Sequence, residues 1–173
     1  VSRETDAVKA RLELLRPFWE KADVLIVGQN LKYDLTILSH YGVEVKGELF
    51  DTMLAHYVVE PEQRHNMDYL AETYLHYRTI HIEELIGTGR QQKNMRDLAP
   101  SEICDYACED ADVTLRLYPI LREKMAECDV TDVFSKIEMP LLPVLARIEQ
   151  NGVRLDTEAL QQTGDDFRAR LQT

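Results

Sequence analysis

Tyr106 and Asp110 are the residues whose types and spacing most readily carry chemistry. Within Tyr106-Ala107-Cys108-Glu109-Asp110-Ala111-Asp112 they differ by about 40° at about 100° per helical residue, so a phenol and a carboxylate leave one helix face a turn apart and point into one site. Asp112 lies about 200° round from Asp110, so these two carboxylates cannot share a metal ion on a regular helix; Glu109 is offset by about 100°, and both are expected to be solvated. A third candidate is Asp34. Asn30-Leu31-Lys32-Tyr33-Asp34 follows directly on an apolar run and Gly28, which puts Asp34 in the first turns of a helix at a sheet edge, a usual place for a site in α/β proteins. Read alone, each residue has a plainer account. Asp34 complements a helix dipole, Tyr106 is a half-buried core tyrosine and Asp110 a surface charge.

The elements that must position these groups are legible as patterns. Val8, Leu12, Leu15 and Trp19 recur at helical steps and predict an amphipathic helix ending near residues 17–20. Val24-Leu25-Ile26-Val27, closed by Gly28, reads as a buried strand in a sheet covered on both faces. A helix over residues 30–41 should stop at Gly42, a good left-handed terminator. Residues 43–50 predict a turn and a second short strand ending at Asp51, which caps another helix. Helical patterns continue over residues 66–75 and, after a polar loop at 87–94, over 100–125, where Pro119 should bend or break the helix. Ile137, Leu141, Val144, Leu145 and Ile148 form a further apolar stripe that starts around Thr131 and is closed by Asn151-Gly152, with Pro140 and Pro143 predicting a bend. A last helix begins near Asp156. The fold class expected is α/β, with two short strands among about seven helices and therefore few strands.

The 173 residues suit one domain, or one domain plus the beginning of a second. With 45% hydrophobic and 29% charged residues and only 7 Gly and 6 Pro, the composition excludes collagen, low-complexity disorder and a disulfide-stapled miniprotein. Twenty Lys and Arg against thirty-one Asp and Glu leave a net charge of −11, which works against broad binding to a polyanion. It does not exclude a nuclease, because one that works through metal ions needs local carboxylates rather than a basic surface. Cys104, Cys108 and Cys128 are an odd number without CxxC spacing, so neither a disulfide framework nor a zinc site is suggested. A reduced, cytoplasmic setting fits; there is no long apolar run, so no membrane partner, and no oligomer is expected. Cys104 and Cys108, a helical turn apart, are expected to pack as small hydrophobes.

Val27-Gly28-Gln29-Asn30-Leu31-Lys32-Tyr33-Asp34, Phe50-Asp51-Thr52-Met53-Leu54 and residues 106–114 together resemble the proofreading 3′–5′ exonuclease domain of the bacterial DNA polymerase I family (family A). The segment Ile137 to Val153 resembles the opening of that family's polymerase domain, which places 1–129 in the exonuclease and 130–173 in the first polymerase helices. The resemblance implies a ribonuclease-H-like (DEDD exonuclease) fold of the tyrosine subclass, the single-stranded 3′ end of DNA as substrate, and a polymerase domain in the same chain. It also implies two Mg²⁺ or Mn²⁺ ions bridging the scissile phosphate, hard ions that suit carboxylates. Asp110 then resembles a direct metal ligand, Tyr106 the group orienting the attacking water, and Asp34 a second metal-binding carboxylate acting through water. Gln29, Asn30 and Tyr33 match positions lining the 3′-terminal nucleotides, and Arg64 with His65 a basic pair near the strand's phosphates.

The family's first motif, Asp-x-Glu on the first strand, has no match in residues 1–28. Glu4-Thr5-Asp6 has the reverse order at the head of a helix, where a first-turn acidic cluster is sufficient reason for it. Asp156-Thr157-Glu158 reads as a helix cap. The expectation is a domain truncated at its N-terminus, helix-rich, and inactive as an isolated fragment, with the ions weakly bound or absent. Three rivals stand beside it: a stand-alone ribonuclease-D-like exonuclease, against which residues 137–153 argue; a catalytically silent scaffold domain of a polymerase; and a plain helical interaction module, which leaves the three motifs unexplained.

Overall fold

The computed structural model describes residues 2–171, and within them the side chains other than those of residues 2–5 and 91. Helix α1, Ser2–Trp19, runs two residues past Pro17. Of the Glu4-Thr5-Asp6 trio, the side chains of Glu4 and Thr5 lie outside the described residues; Asp6 is exposed. The expected stripe is helical but not buried, since Val8 and Leu15 face solvent. The C-terminal end of α1 docks, with Trp19 beside Ile26, Leu38 and Val45 and two hydrogen bonds nearby. Arg16 donates to the Gly42 carbonyl at 2.7 Å, and the Lys46 amide donates to the Trp19 carbonyl at 3.0 Å.

Strand β1, Leu25–Gly28, and strand β2, Glu48–Asp51, pair in parallel, with Val27 opposite Phe50 and Gly28 opposite Asp51. Helix α2, Leu31–His40, makes the crossover that a parallel pair requires, and the chain leaves it through Gly42 at φ 70°. The expectation of a strand covered on both faces fails: Leu25 is 41% exposed and the rest of β1 half-buried. Among the described residues the sheet has two strands, so β1 has one hydrogen-bonded neighbour.

Asp51 begins α3, Thr52–Val59, as an extended cap residue whose carboxylate accepts the Met53 and Leu54 amides. The expected helix over 66–75 is α4, Met67–Leu70, continued by a π-helical turn at Ala71–Leu75. A short α5, Ile82–Ile86, interrupts the stretch that reads as loop. Helix α6, Pro100–Glu127, is continuous through Pro119, contrary to the expected break. Pro119 is on the exposed side of the helix, where the carbonyl it leaves without a donor can turn to water. Val113, Leu117 and Leu121 recur every four residues on the opposite side and are fully buried with Phe50, Ala55, Leu70 and Ala71. Phe50 meets Tyr118 edge-on at 4.7 Å and Phe134 at 4.9 Å, within the favourable range for aromatic pairs. Cys104, Cys108 and Cys128 are all exposed rather than packed. Cys104 and Cys108 stand about 180° and 140° round α6 from Val113, away from its core face.

After α6 come α7, Thr131–Val133, a π-helical turn at Phe134–Glu138, and α8, Met139–Asn151, with Pro140 in its first turn and Pro143 inside it. Helix α8 packs on α2 and β2 through buried Leu142 and Ala146, and Lys32 and Glu149 pair across it at 2.5 Å. The stripe of Ile137, Leu141, Val144, Leu145 and Ile148 is therefore exposed, not core; its periodicity marks a helix, and a different face meets the sheet. Asp156 caps α9, Thr157–Leu171, through the Ala159 amide at 3.0 Å. No helix among the described residues is long and apolar enough to cross a membrane.

Candidate active site

The end of β1 and the start of α2 form one tightly held corner. Gly28 has no room for a side chain, since a Cβ there would stand 2.2 Å from the Leu31 side chain. Gln29 donates its amide to the His65 carbonyl at 2.7 Å and accepts the Thr52 hydroxyl. Asn30 caps α2 in the left-handed region, at φ 61° and ψ 48°, where asparagine is one of the few tolerated side chains. Asp51, 1% exposed, binds this corner from below. Its Oδ1 accepts the Asn30 amide at 3.1 Å and its Oδ2 the Leu31 amide at 2.7 Å, while Oδ1 also caps α3 through Met53 at 2.9 Å and Leu54 at 3.3 Å. Burial raises the Asp51 carboxyl, against these four bonds. Asp34 lies on the first turn of α2, held above the usual carboxylate range by desolvation and then by the charge of Asp51. Tyr33 is 64% exposed beside it.

Helix α6 packs against β1 and brings the second group. The Tyr106 phenol and the Asp110 carboxylate, a helical turn apart on one face, are close enough for each to shift the other's titration. Burial and the adjacent Asp110 charge push the phenol up to about 12, so it stays protonated, with one hydrogen to donate and an oxygen that can accept. Asp110 is raised by desolvation, which the Tyr106 phenol opposes and the charges of Glu109 and Asp68 reinforce. Glu109 is not solvated as expected. It accepts the Tyr77 hydroxyl at 2.6 Å and the Ile80 amide at 2.7 Å, pinning the segment ahead of α5 against α6. Asp68 holds the same segment through Thr79 at 2.6 Å and His81 at 3.2 Å. Asp112 is exposed, as expected, and pairs with Arg116 at 3.4 Å.

Arg64 and His65 do not stand together as a basic pair. Arg64 is exposed, whereas the His65 ring turns inward to His56, Nδ1 to Nδ1 at 2.7 Å. Two ring nitrogens can share that bond only if one donates and the other accepts. His56 is 1% exposed, and burial, with His65 beside it, pushes it down from 6.5 to about 4. The structure thus joins Tyr106 with Asp110, and Gln29 with His65, while the charges that act on Asp34 and on Asp110 come from different neighbours. Among the described residues no group of three or more His, Cys, Asp or Glu side chains converges to hold a metal ion. Two separate carboxylates are too few for the oxygen shells of two hard divalent cations, so the residues of this chain do not by themselves fit a two-ion centre. The sequence pattern missed Asp68, Glu109 and the reach of Asp51 to α2. Each acts on a group far along the chain, and only the Asp51 cap carries a local signal.

The profile of a family described as 3′–5′ exonuclease, that of the family-A DNA polymerases, matches residues 3–126. The chain is 42% identical over 161 residues to DNA polymerase I of Pseudomonas aeruginosa, covering 91% of the chain and 17% of that protein. It is 39% identical over 157 residues to DNA polymerase I of Rhizobium leguminosarum, covering 90% and 15%, and 35% identical over 169 residues to that of Treponema pallidum, covering 95% and 16%. The chain spans about a sixth of the length of these relatives.

Proposed function

Because the chain belongs to the 3′–5′ exonuclease family of the family-A DNA polymerases, we propose that it is part of a bacterial DNA polymerase I, with residues 1–129 in a proofreading exonuclease of ribonuclease-H-like fold and 130–173 in the first helices of the polymerase domain. The observation that carries this reading is the juxtaposition of Tyr106 and Asp110 on α6, a helix packed on the strand whose end leads through Gln29 and Asn30 into the first turn of α2 with Asp34. The substrate is the single-stranded 3′ end of DNA, and the reaction is hydrolysis of its terminal phosphodiester in replication and repair. Tyr106, protonated throughout the physiological range with its one hydrogen directed toward Asp110, orients the attacking water through its phenol oxygen, which accepts a hydrogen bond from the water. Asp110 and Asp34 supply acidic ligands. Gln29, Asn30, Tyr33 and Arg64 line the path of the strand, and the His65 backbone steadies Gln29.

Asp34 and Asp110 need further carboxylates before Mg²⁺ or Mn²⁺ can be held, and the family draws these from an Asp-x-Glu motif that residues 1–28 do not match. The isolated 173 residues are therefore inactive, and their net charge of −11 gives low affinity for single strands at physiological salt. The test is a 3′-labelled single strand incubated with the isolated chain and with a chain extended upstream through that motif. Stepwise shortening by the extended chain alone is expected. Shortening by neither makes the domain a silent scaffold of a polymerase, and a tight shifted band with the isolated chain contradicts the binding claim.

A further inference from the structure

Asn30 is one of only three non-glycine residues at positive φ among the described residues, and it stands where the proposed site meets the sheet. Such a conformation persists only when its surroundings enforce it. Its own side chain makes no capping bond to α2, so the enforcement comes from elsewhere. Asp51 is the group in place. It sits opposite Gly28 in the parallel register, fully buried, and accepts both the Asn30 and the Leu31 amide. The bonds divide unevenly between its two oxygens. Oδ1 takes Asn30, Met53 and Leu54, whereas Oδ2 takes Leu31 alone. One carboxylate therefore caps α3 with one oxygen and ties down the first free amide of α2 with the other.

We propose that Asp51 is a positioning residue for the 3′-nucleotide corner: by tying the Asn30 and Leu31 amides to the end of β2, it keeps Asn30 left-handed and fixes where Gln29, Asn30 and Asp34 stand. This role rests on the functional reading above, and it assigns Asp51 more than a helix cap. The Thr52 hydroxyl, next in sequence, adds a second tie, its single hydrogen shared between the Gly28 carbonyl at 3.1 Å and the Gln29 side-chain carbonyl. Asp51 and Thr52 thus reach four consecutive residues of the corner, Gly28 to Leu31, by side-chain bonds.

The uneven division of bonds supplies the test. In Asp51→Asn the amide oxygen keeps the three donors at Oδ1, and its NH₂ then faces the Leu31 amide, a donor against a donor. Asp51→Ser keeps the α3 cap, because serine is a good cap residue, and is too short to reach Leu31. Both variants are made in the upstream-extended chain and followed by site-resolved hydrogen exchange and by steady-state hydrolysis of a labelled single strand. Exchange at Leu31 should quicken by about tenfold or more, the loss of one bond to a charged acceptor, while Met53 and Leu54 stay within about threefold of wild type. KM for the strand should rise by about tenfold with kcat changed much less, whereas a merely unstable variant would lose active enzyme and lower kcat at unchanged KM. Unchanged exchange at Leu31, or quickened exchange with an unchanged KM, would overturn the proposal. If the wild-type extended chain hydrolyses nothing, the functional reading falls, and exchange at Asn30 and Leu31 still decides whether Asp51 holds the corner.

Discussion

The buried His56–His65 contact makes stability depend on pH in a direction that can be worked out. His56 titrates near 4 when folded and near 6.5 when unfolded, so below pH 6.5 the unfolded chain takes up a proton that the folded chain refuses. Stability from this residue is complete above about pH 7 and is lost as pH falls toward 4. Between pH 7 and pH 5 the loss is about 2 kcal/mol, since each unit of separation between the two values is worth about 1.4 kcal/mol over the range in which it acts. Asp34, Asp51 and Asp110 are raised when folded, so they act in the opposite sense, gaining relative stability as pH falls through the carboxylate range. His56→Asn separates the two contributions, because it removes the imidazole and leaves the carboxylates in place. Urea unfolding of wild type and variant at pH 7 and pH 5 measures the difference. Wild type should lose about 2 kcal/mol more than the variant over that interval. Equal losses would mean that His56 is hydrated or already charged in the folded protein, and the account of the 2.7 Å ring contact would be wrong.

Leu117→Ala, at a fully buried position of α6, should cost about 2–5 kcal/mol and lower Tm by roughly 10 °C; Leu115→Ala, two residues away and 62% exposed, should stay within about 0.5 kcal/mol, and thermal unfolding by circular dichroism compares them. Gly28→Ala should destabilise by about 1–3 kcal/mol, because the buried Leu31 side chain standing 2.2 Å from the new Cβ has to be displaced; urea unfolding that matches wild type would place Leu31 elsewhere. Tyr106→Phe in the upstream-extended chain should leave Tm nearly unchanged and lower kcat by about 10–100-fold, the worth of one hydrogen bond to a charged partner. Single-turnover hydrolysis of a labelled strand reads that loss, and an undiminished rate would remove the phenol from the mechanism.

The corner at β1 and α2 is readable in the sequence because its determinants are local: a short apolar run, Gly28, an asparagine that tolerates the left-handed region, and a carboxylate in the next helical turn. The same holds for Tyr106 and Asp110, which one helix brings together without help from the rest of the fold. Asp51 is legible only as a cap, since its bonds to Asn30 and Leu31 exist only once β1 and β2 pair in register. Glu109 reads as solvated because its partners, Tyr77 and Ile80, come from a segment about thirty residues earlier with no pattern of its own. Periodicity in residues 137–148 identifies a helix and not its buried face. Leu142 and Ala146 form the smaller apolar set, yet they meet α2 and β2, while the larger stripe stays in solvent. Cys104 and Cys108 fail for a related reason, because their small apolar side chains carry no phase information until α6 is set against the core.

The proposed function requires Asp110 to act with Tyr106 at a nuclease site rather than as a surface charge on a long helix. The most direct measurement is the rate at which the upstream-extended chain shortens a 3′-labelled single strand in Mg²⁺ and in Mn²⁺, beside its Asp110→Ala variant, with both proteins matched for folding by circular dichroism. Stepwise removal of 3′ nucleotides by the first and a loss of at least about a hundredfold in the second are expected. Equal rates in the two folded proteins, whatever their size, would contradict the proposed function.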